Sequence, residues 1–195
     1  MKPQLAKVLV ALTYIACSSL LGCASVYQAP VGKPTAQLSV SSDIMGPTGW
    51  LHHLSVQAFD DGSCAPSRYG IRLDYRATTD DDVTSSPLTI VAGEPFTYTA
   101  RYTDSHYGQN GSCSATGTFT PKANGRYKAI LAVEPGVESC NMGLFTVNDG
   151  VKIPVKDFSM PRYLCASSKK TSVLNGQAQW TNFRVEVISD YSKKK

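Results

Sequence analysis

Three short stretches carry residue types that can do chemistry. Asp104-Ser105-His106 holds an acid, a hydroxyl and an imidazole in consecutive positions, the residue types of a hydrolytic triad. A triad needs Ser–His and His–acid hydrogen bonds. Neighbouring residues of a strand point to opposite faces, so these three cannot form one as a unit. The chain has no G-x-S-x-G elbow to present a serine. The segment runs towards Gly108 and Asn110-Gly111 and reads as the polar end of a hairpin. His52-His53 is the second stretch. On a strand the two face opposite ways and cannot share one zinc ion, and His106 is the only other histidine. His52 belongs on the side of Leu54 and Val56, His53 on the side of Ser55 and Gln57. Asp60-Asp61-Gly62-Ser63 and Asp80-Asp81-Asp82 form the third kind, acidic loops without the spacing of a calcium loop. They read as turns that would hold calcium only if they met in space. No catalytic residue, metal-ligand set or cofactor motif is assigned. An enzyme would require His52 or His106 to converge with an acid in a pocket.

The N-terminus addresses the chain. Lys2 and Lys7 precede an apolar stretch, Val8 to Leu21, broken only by Thr13, Ser18 and Ser19. It is too short for a membrane-spanning helix and suits a signal segment, residues 1–22. Leu20-Leu21-Gly22-Cys23 resembles the lipobox of bacterial lipoproteins. The resemblance implies cleavage between Gly22 and Cys23, with acyl chains on the Cys23 thiol and on its new amine. Several chains hold stably where one binds only marginally. Ala24 rather than Asp follows the cysteine. In Gram-negative lipoproteins that implies sorting to the outer membrane, on its periplasmic face. The expected partners are the membrane, through the lipid, and a protein of the envelope.

Composition narrows the rest. The 195 residues carry 19 Lys and Arg against 15 Asp and Glu, a formal net charge of +4. Two of those cations, Lys2 and Lys7, leave with the signal. No basic stripe with interleaved aromatics suggests nucleic acid. Lys193-Lys194-Lys195, in a basic tail over 191–195, reads as solvated. Four cysteines remain beyond the lipobox: Cys64, Cys113, Cys140 and Cys165. An even number in an exported domain reads as two disulfides. Three pairings are possible, and Cys113–Cys140 with Cys64–Cys165 is favoured. A metal site is disfavoured because there is no CxxC and no histidine lies near these cysteines in sequence.

The elements that must position these residues are strands. Residues 23–35, with Pro30, Gly32 and Pro34, read as an acylated tether. A single domain over 36–190 follows. Leu38/Val40, Leu54/Val56/Ala58, Ile71/Leu73/Tyr75, Phe96/Tyr98/Ala100/Tyr102, Tyr127/Ala129/Leu131/Val133 and Phe183/Val185/Val187 each alternate with polar or small residues. Each run predicts a strand with one buried and one wet face. Asn110-Gly111 and Asp149-Gly150 signal hairpins. Asn124-Gly125 and Asn175-Gly176 signal further turns. Asn110-Gly111-Ser112 also matches a glycosylation acceptor but is read as a turn, and Ser167 to Gln179 reads as a long polar loop. Trp50 and Trp180 are expected in the core or on its rim. Eight to ten short strands without helical periodicity predict an antiparallel β-sandwich, disulfide-stapled, with a closed barrel as the alternative.

Gly125-Arg126-Tyr127 at the start of a late strand resembles the tyrosine corner of immunoglobulin-like sandwiches. There the hydroxyl bonds back to nearby backbone, and Tyr127 takes that part. Ala129 stands where antibody domains carry a cysteine, so the resemblance extends to the sandwich and not to the antibody-type disulfide. Ala92-Gly93-Glu94-Pro95-Phe96, Cys113, Phe119-Thr120-Pro121, Gly125-Arg126-Tyr127 and Cys140 together resemble a broad group of uncharacterised bacterial lipoproteins. That likeness implies an immunoglobulin- or transthyretin-like sandwich. It supplies no known activity. The leading expectation is a non-enzymatic binding or scaffold module that meets an envelope protein through edge strands or loops, with an inhibitor or glycan binder as the alternative and a hydrolase behind both.

Overall fold

Alternating runs become strands where one face meets a core. The computed structural model describes residues 25–45, 49–80, 82–106, 109–166 and 168–182. The lipobox with Cys23, the basic tail and the strand expected around Phe183, Val185 and Val187 lie outside the described residues. The strands in chain order are β1 (Thr35–Ile44), β2 (Leu51–Phe59), β3 (Arg72–Thr78), β4 (Leu88–Val91), β5 (Phe96–His106), β6 (Gln109–Phe119), β7 (Arg126–Val133), β8 (Cys140–Asn148), β9 (Val151–Pro154), β10 (Tyr163–Ala166), β11 (Lys169–Leu174) and β12 (Ala178–Asn182). No α-helix occurs among the described residues.

Two five-stranded sheets form an all-β sandwich. One sheet has the order β4-β1-β7-β8-β9, the other β12-β6-β5-β2-β3. Neighbours are antiparallel except β1 and β7, which run parallel from Gln37↔Arg126 to Ile44↔Val133. The inner faces contribute Leu38, Val40, Ala129, Leu131 and Val133 from one sheet and Leu54, Val56, Ala58, Ala100, Ala115 and Phe119 from the other, all buried. Full burial of each Val, Leu or Phe is worth roughly 1.5–3 kcal/mol. Cys113 on β6 is bonded to Cys140 on β8, a covalent tie between the sheets. Cys64, in the β2–β3 connection, is bonded to Cys165 on β10. Thus the favoured pairing is the one present.

Tyr127 is buried and packs edge-on against Phe119, with ring centroids 5.0 Å apart. Its hydroxyl accepts a hydrogen bond from the Lys122 amide at 2.8 Å. The corner contact therefore runs back five residues, around a turn in which Asn124 takes a left-handed φ of 60°.

Four local expectations differ from the structure. The Ile71/Leu73/Tyr75 run does not bury one face: Ile71 precedes β3, Tyr75 stands opposite Ser55 and is 54% exposed, and Asp74 and Arg76 stand opposite the buried Val56 and Leu54, with a register shift between Val56 and Gln57. Ser167–Gln179 is not a loop: β11 and the start of β12 lie within it. β11 is an outlying strand with no fully buried side chain, so it carries no apolar alternation to read. Asn110-Gly111 is not a turn but part of β6, paired with Ser105 and Asp104. Its glycine serves packing, because a Cβ at Gly111 would lie 2.7 Å from the Trp180 ring on β12. The segment expected as a tether is docked from Ser25 onward. The Ser25 carbonyl accepts bonds from the amides of Ile71 and Arg72, Tyr27 N–H donates to the Arg72 carbonyl, and the Tyr27 ring is buried. A large aromatic with a backbone partner has more to gain in the core than in a linker.

Tyr98 yields a test of the core. Its side chain is fully buried on β5, and its hydroxyl has no hydrogen-bond partner among the described residues. Burial drives its phenol well above the ordinary tyrosine value. In the unfolded chain the phenol ionises above about pH 10, while in the fold it stays protonated. Its contribution to stability is therefore intact below pH 10 and falls by about 1.4 kcal/mol per pH unit above it. Tyr27, also raised mainly by burial, acts in the same direction. Tyr98→Phe removes one such group and an unpaired hydroxyl. At pH 7 it is expected to leave stability unchanged or raise it by up to about 1 kcal/mol, and to lessen the alkaline loss. Urea midpoints of both proteins at pH 7 and pH 11 check this, and an equal fall in both refutes it.

Candidate functional site

The β2–β5 register pairs His52 with Asp104 across the sheet. Both face inward and are essentially inaccessible, at 0% and 1% exposure. His52 Nδ1 lies 3.4 Å from Asp104 Oδ1 and 2.7 Å from the Tyr102 hydroxyl, with which it shares a hydrogen bond. The His52 and Tyr102 rings are stacked 5.9 Å apart. Asp104 also accepts the Gly49 N–H at 2.8 and 2.9 Å on its two oxygens. A Cβ at Gly49 would run into Asp104 Oδ1 and the Ser105 carbonyl, so only glycine brings the backbone this close. An imidazole beside a carboxylate has the parts of an acid–base dyad. This one is sealed from solvent, and Ser105 points to the opposite face, as strand alternation requires. The pair closes one end of the sandwich. His106 ends β5, and its side chain is outside the described residues.

His53 faces outward, with its Nδ1 2.6 Å from the Tyr75 hydroxyl. The acidic loops do not converge on a site. Asp60 accepts the Arg68 amide at 2.9 Å and pairs with its guanidinium. Asp61 accepts the Ser63 amide at 2.7 Å, and its bonds to Ser63 hold its carboxyl below the usual range. Asp81 lies outside the described residues. Among the described residues no three His, Cys, Asp or Glu side chains gather to hold a metal. Trp50 and Trp180 are both largely exposed, on the rim. A small hollow between Tyr27, Tyr69 and Phe96 has carboxylates at Asp60 and Glu94, but the chain's own cations serve it. Lys33 and Arg68 lie 5.7 and 5.6 Å from the Tyr69 ring centre and pair with Glu94 and Asp60.

The open polar site is on the outer face of the second sheet. There the β10–β11 hairpin overhangs β5 and β6. The Thr99 and Thr116 hydroxyls bond to each other at 2.7 Å. Thr99 Oγ1 donates to the Cys165 carbonyl at 3.0 Å, and the Cys165 amide donates to Thr116 Oγ1 at 2.9 Å. Asn175 Nδ2 donates to the carbonyls of Thr116 and Pro161. These bonds and the Cys64–Cys165 disulfide fix the overhang. Between it and the sheet lies a cleft of about 190 Å³, lined on the sheet side by Ser55, Gln57, Thr99, Arg101, Ser114 and Gln179 and on the hairpin side by Thr171 and Val173 among others. Arg101 Nη2 donates to Ser112 Oγ at 3.1 Å.

Sequence reasoning missed this cleft. Its trace is the outward set Thr97, Thr99, Arg101, Thr103 facing Ser112, Ser114, Thr116, Thr118. Outward strand faces usually carry long charged chains, and here they carry hydroxyls, those of Thr97, Thr99, Ser112, Ser114 and Thr116 being buried. The hairpin above them is invisible to periodicity. Two of the sheet edges, β9 and β3, are less inviting. β9 is four residues long with Lys152 and Pro154, and β3 carries Arg72, Asp74 and Arg76. Short, charged and proline-bearing edges resist strand addition. Comparison with protein-family models, with curated proteins and with solved structures finds no match to this chain.

Proposed function

We propose that this protein is a lipid-anchored, non-enzymatic recognition module of a bacterial envelope, held on the periplasmic face of the outer membrane through Cys23. Its ligand enters the cleft under the β10–β11 hairpin. The observation that carries this reading is a division of polar groups. The acid–base pair His52–Asp104 is sealed in the core, whereas Ser55, Gln57, Arg101 and Gln179, none of them buried, line a cleft preformed beneath a disulfide-locked hairpin. Preformed polar clefts on rigid scaffolds bind at low ordering cost. Docking of Ser25 against Ile71 and Arg72 limits the reach of the anchor. Two residue steps from Cys23 span at most about 7.6 Å, so the sandwich sits on the membrane surface rather than on a long tether.

Crosslinking the acylated protein in its native membrane, followed by mass spectrometry, tests the reading. One envelope component is expected to be captured reproducibly, to be lost with Thr171→Trp, which fills the cleft, and to be lost with Cys23→Ala in intact cells but not with purified components. Capture unaffected by Thr171→Trp would move recognition away from the cleft.

A further inference from the structure

Arg101 is the one ionisable side chain among the residues lining the cleft, and none of the ion pairs among the described residues involves it. One nitrogen is engaged by Ser112. A guanidinium presents a planar fork of donors that matches a carboxylate in two parallel bonds. We propose that the cleft binds a carboxylated sugar, a uronate-type unit, whose acid group pairs with Arg101; this rests on the recognition reading above.

The neighbours of Arg101 select a sugar over other carboxylates. Ser55, Arg101 and Ser114 stand in one row across β2, β5 and β6, and strands lie about 4.8 Å apart. The next rows add Gln57 on one side, beside a Thr99 hydroxyl already committed to Thr116 and the Cys165 carbonyl, and Thr103 and Gln179 on the other, beside the Ser112 hydroxyl that holds Arg101. Hydroxyls and primary amides both donate and accept, as the hydroxyls of a pyranose do. A peptide is a poorer fit. β2, β5 and β6 are each paired on both sides, so the sheet has no free main-chain groups here for a peptide backbone. The volume, about 190 Å³, falls below the roughly 300–1,000 Å³ of sites for drug-sized ligands and suits one sugar unit.

Titration of the full acylated protein in detergent micelles, followed by amide chemical shifts, tests this with D-glucuronate, D-glucose and acetate as probes. Glucuronate is expected to bind saturably and to shift the amides of Arg101, Ser112 and Ser114, with glucose and acetate at least about tenfold weaker. Arg101→Gln, an outward-facing change, is expected to weaken glucuronate about 10- to 100-fold, the loss of a charge-assisted bond, and to leave glucose unaffected. Arg101→Lys is expected to recover only part of the loss. Acetate binding as tightly as glucuronate, or Arg101→Gln binding as well as the parent, overturns the proposal. If glucose and glucuronate bind equally and Thr171→Trp abolishes both, the acid preference fails while the cleft survives. If no sugar moves any cleft amide and Thr171→Trp also leaves crosslinking unchanged, the cleft reading fails with it.

Discussion

Replacing Cys64 and Cys165 together by alanine lowers the unfolding free energy by about 4–5 kcal/mol, more than any single surface change. The bond spans 101 residues of sequence, and on the chain-entropy model a loop of that length restrains the unfolded chain by about 4.7 kcal/mol. The Cys113–Cys140 bond spans 27 residues and by the same relation contributes about 3.5 kcal/mol. The two losses also differ in kind. Cys113–Cys140 ties sheet to sheet through β6 and β8, so its removal loosens the whole sandwich. Cys64–Cys165 ties the β10–β11 hairpin to the β2–β3 connection, and among the described residues it clusters with the buried Phe59 and the half-buried Tyr163. Without the bond, the hairpin is retained by hydrogen bonds such as those of Thr99, Thr116 and Asn175. Hydrogen exchange is therefore expected to rise first in residues 163–174 of the double alanine variant, before the core strands open. Urea unfolding read by circular dichroism gives the global loss. A loss below about 1 kcal/mol, with unchanged exchange in the hairpin, would show that packing alone holds it.

That asymmetry also explains what could be read in the sequence. Strands facing the core announce themselves. β7 buries Tyr127, Ala129, Leu131 and Val133 and shows clean alternation, and β2 does the same with Leu54, Val56 and Ala58. β11, Lys169–Leu174, lies outside both layers and exposes or half-exposes every side chain, so burial imposes no pattern on it. Asn110-Gly111 misled because the dipeptide has two uses. It builds tight turns through left-handed backbone, and its glycine also leaves room for a neighbour's ring, here that of Trp180. The core position of His52 followed from its place beside Leu54 and Val56. Its partner did not, because Asp104 reaches it only through the β2–β5 register, 52 positions away in sequence. The cleft is legible only by half. The hydroxyl-rich floor is in the sequence of β5 and β6, whereas the overhang depends on a tertiary contact that local periodicity does not encode.

Asp104→Ala is expected to cost about 2–4 kcal/mol, the loss when an acceptor that serves two neighbouring polar groups is removed from the interior. The carboxylate spans two elements. It stands beside His52 of β2 and takes the Gly49 amide on both oxygens. Its removal leaves the half-buried Gly49 amide without its acceptor, at roughly 1–3 kcal/mol, and leaves a void beside the buried His52 imidazole, which keeps the Tyr102 hydroxyl. Asp104→Asn retains an acceptor for Gly49 and is expected to lose less, about 1–3 kcal/mol. Gly49→Ala attacks the same contact from the other side, because its Cβ collides with Asp104 Oδ1. Combined with Asp104→Ala, its effect is expected to fall only partly short of additive, since the colliding carboxylate is gone while the same Cβ still runs into the Ser105 carbonyl. Thermal unfolding of the single and double variants reads this coupling directly. The pair also guards the register. A one-residue slip of β2 against β5 would turn Leu54, Val56 and Ala58 to the wet face and would separate His52 from Asp104. A catalytic dyad would behave in the opposite way, with activity lost and stability kept or gained when the acid is removed. Asp104→Ala that unfolds no more easily than the parent would therefore reopen the enzymatic reading of His52. A loss of several kcal/mol, together with the sub-additive cycle, would assign both residues to closing the end of the sandwich and leave recognition to the hydroxyl-lined face outside.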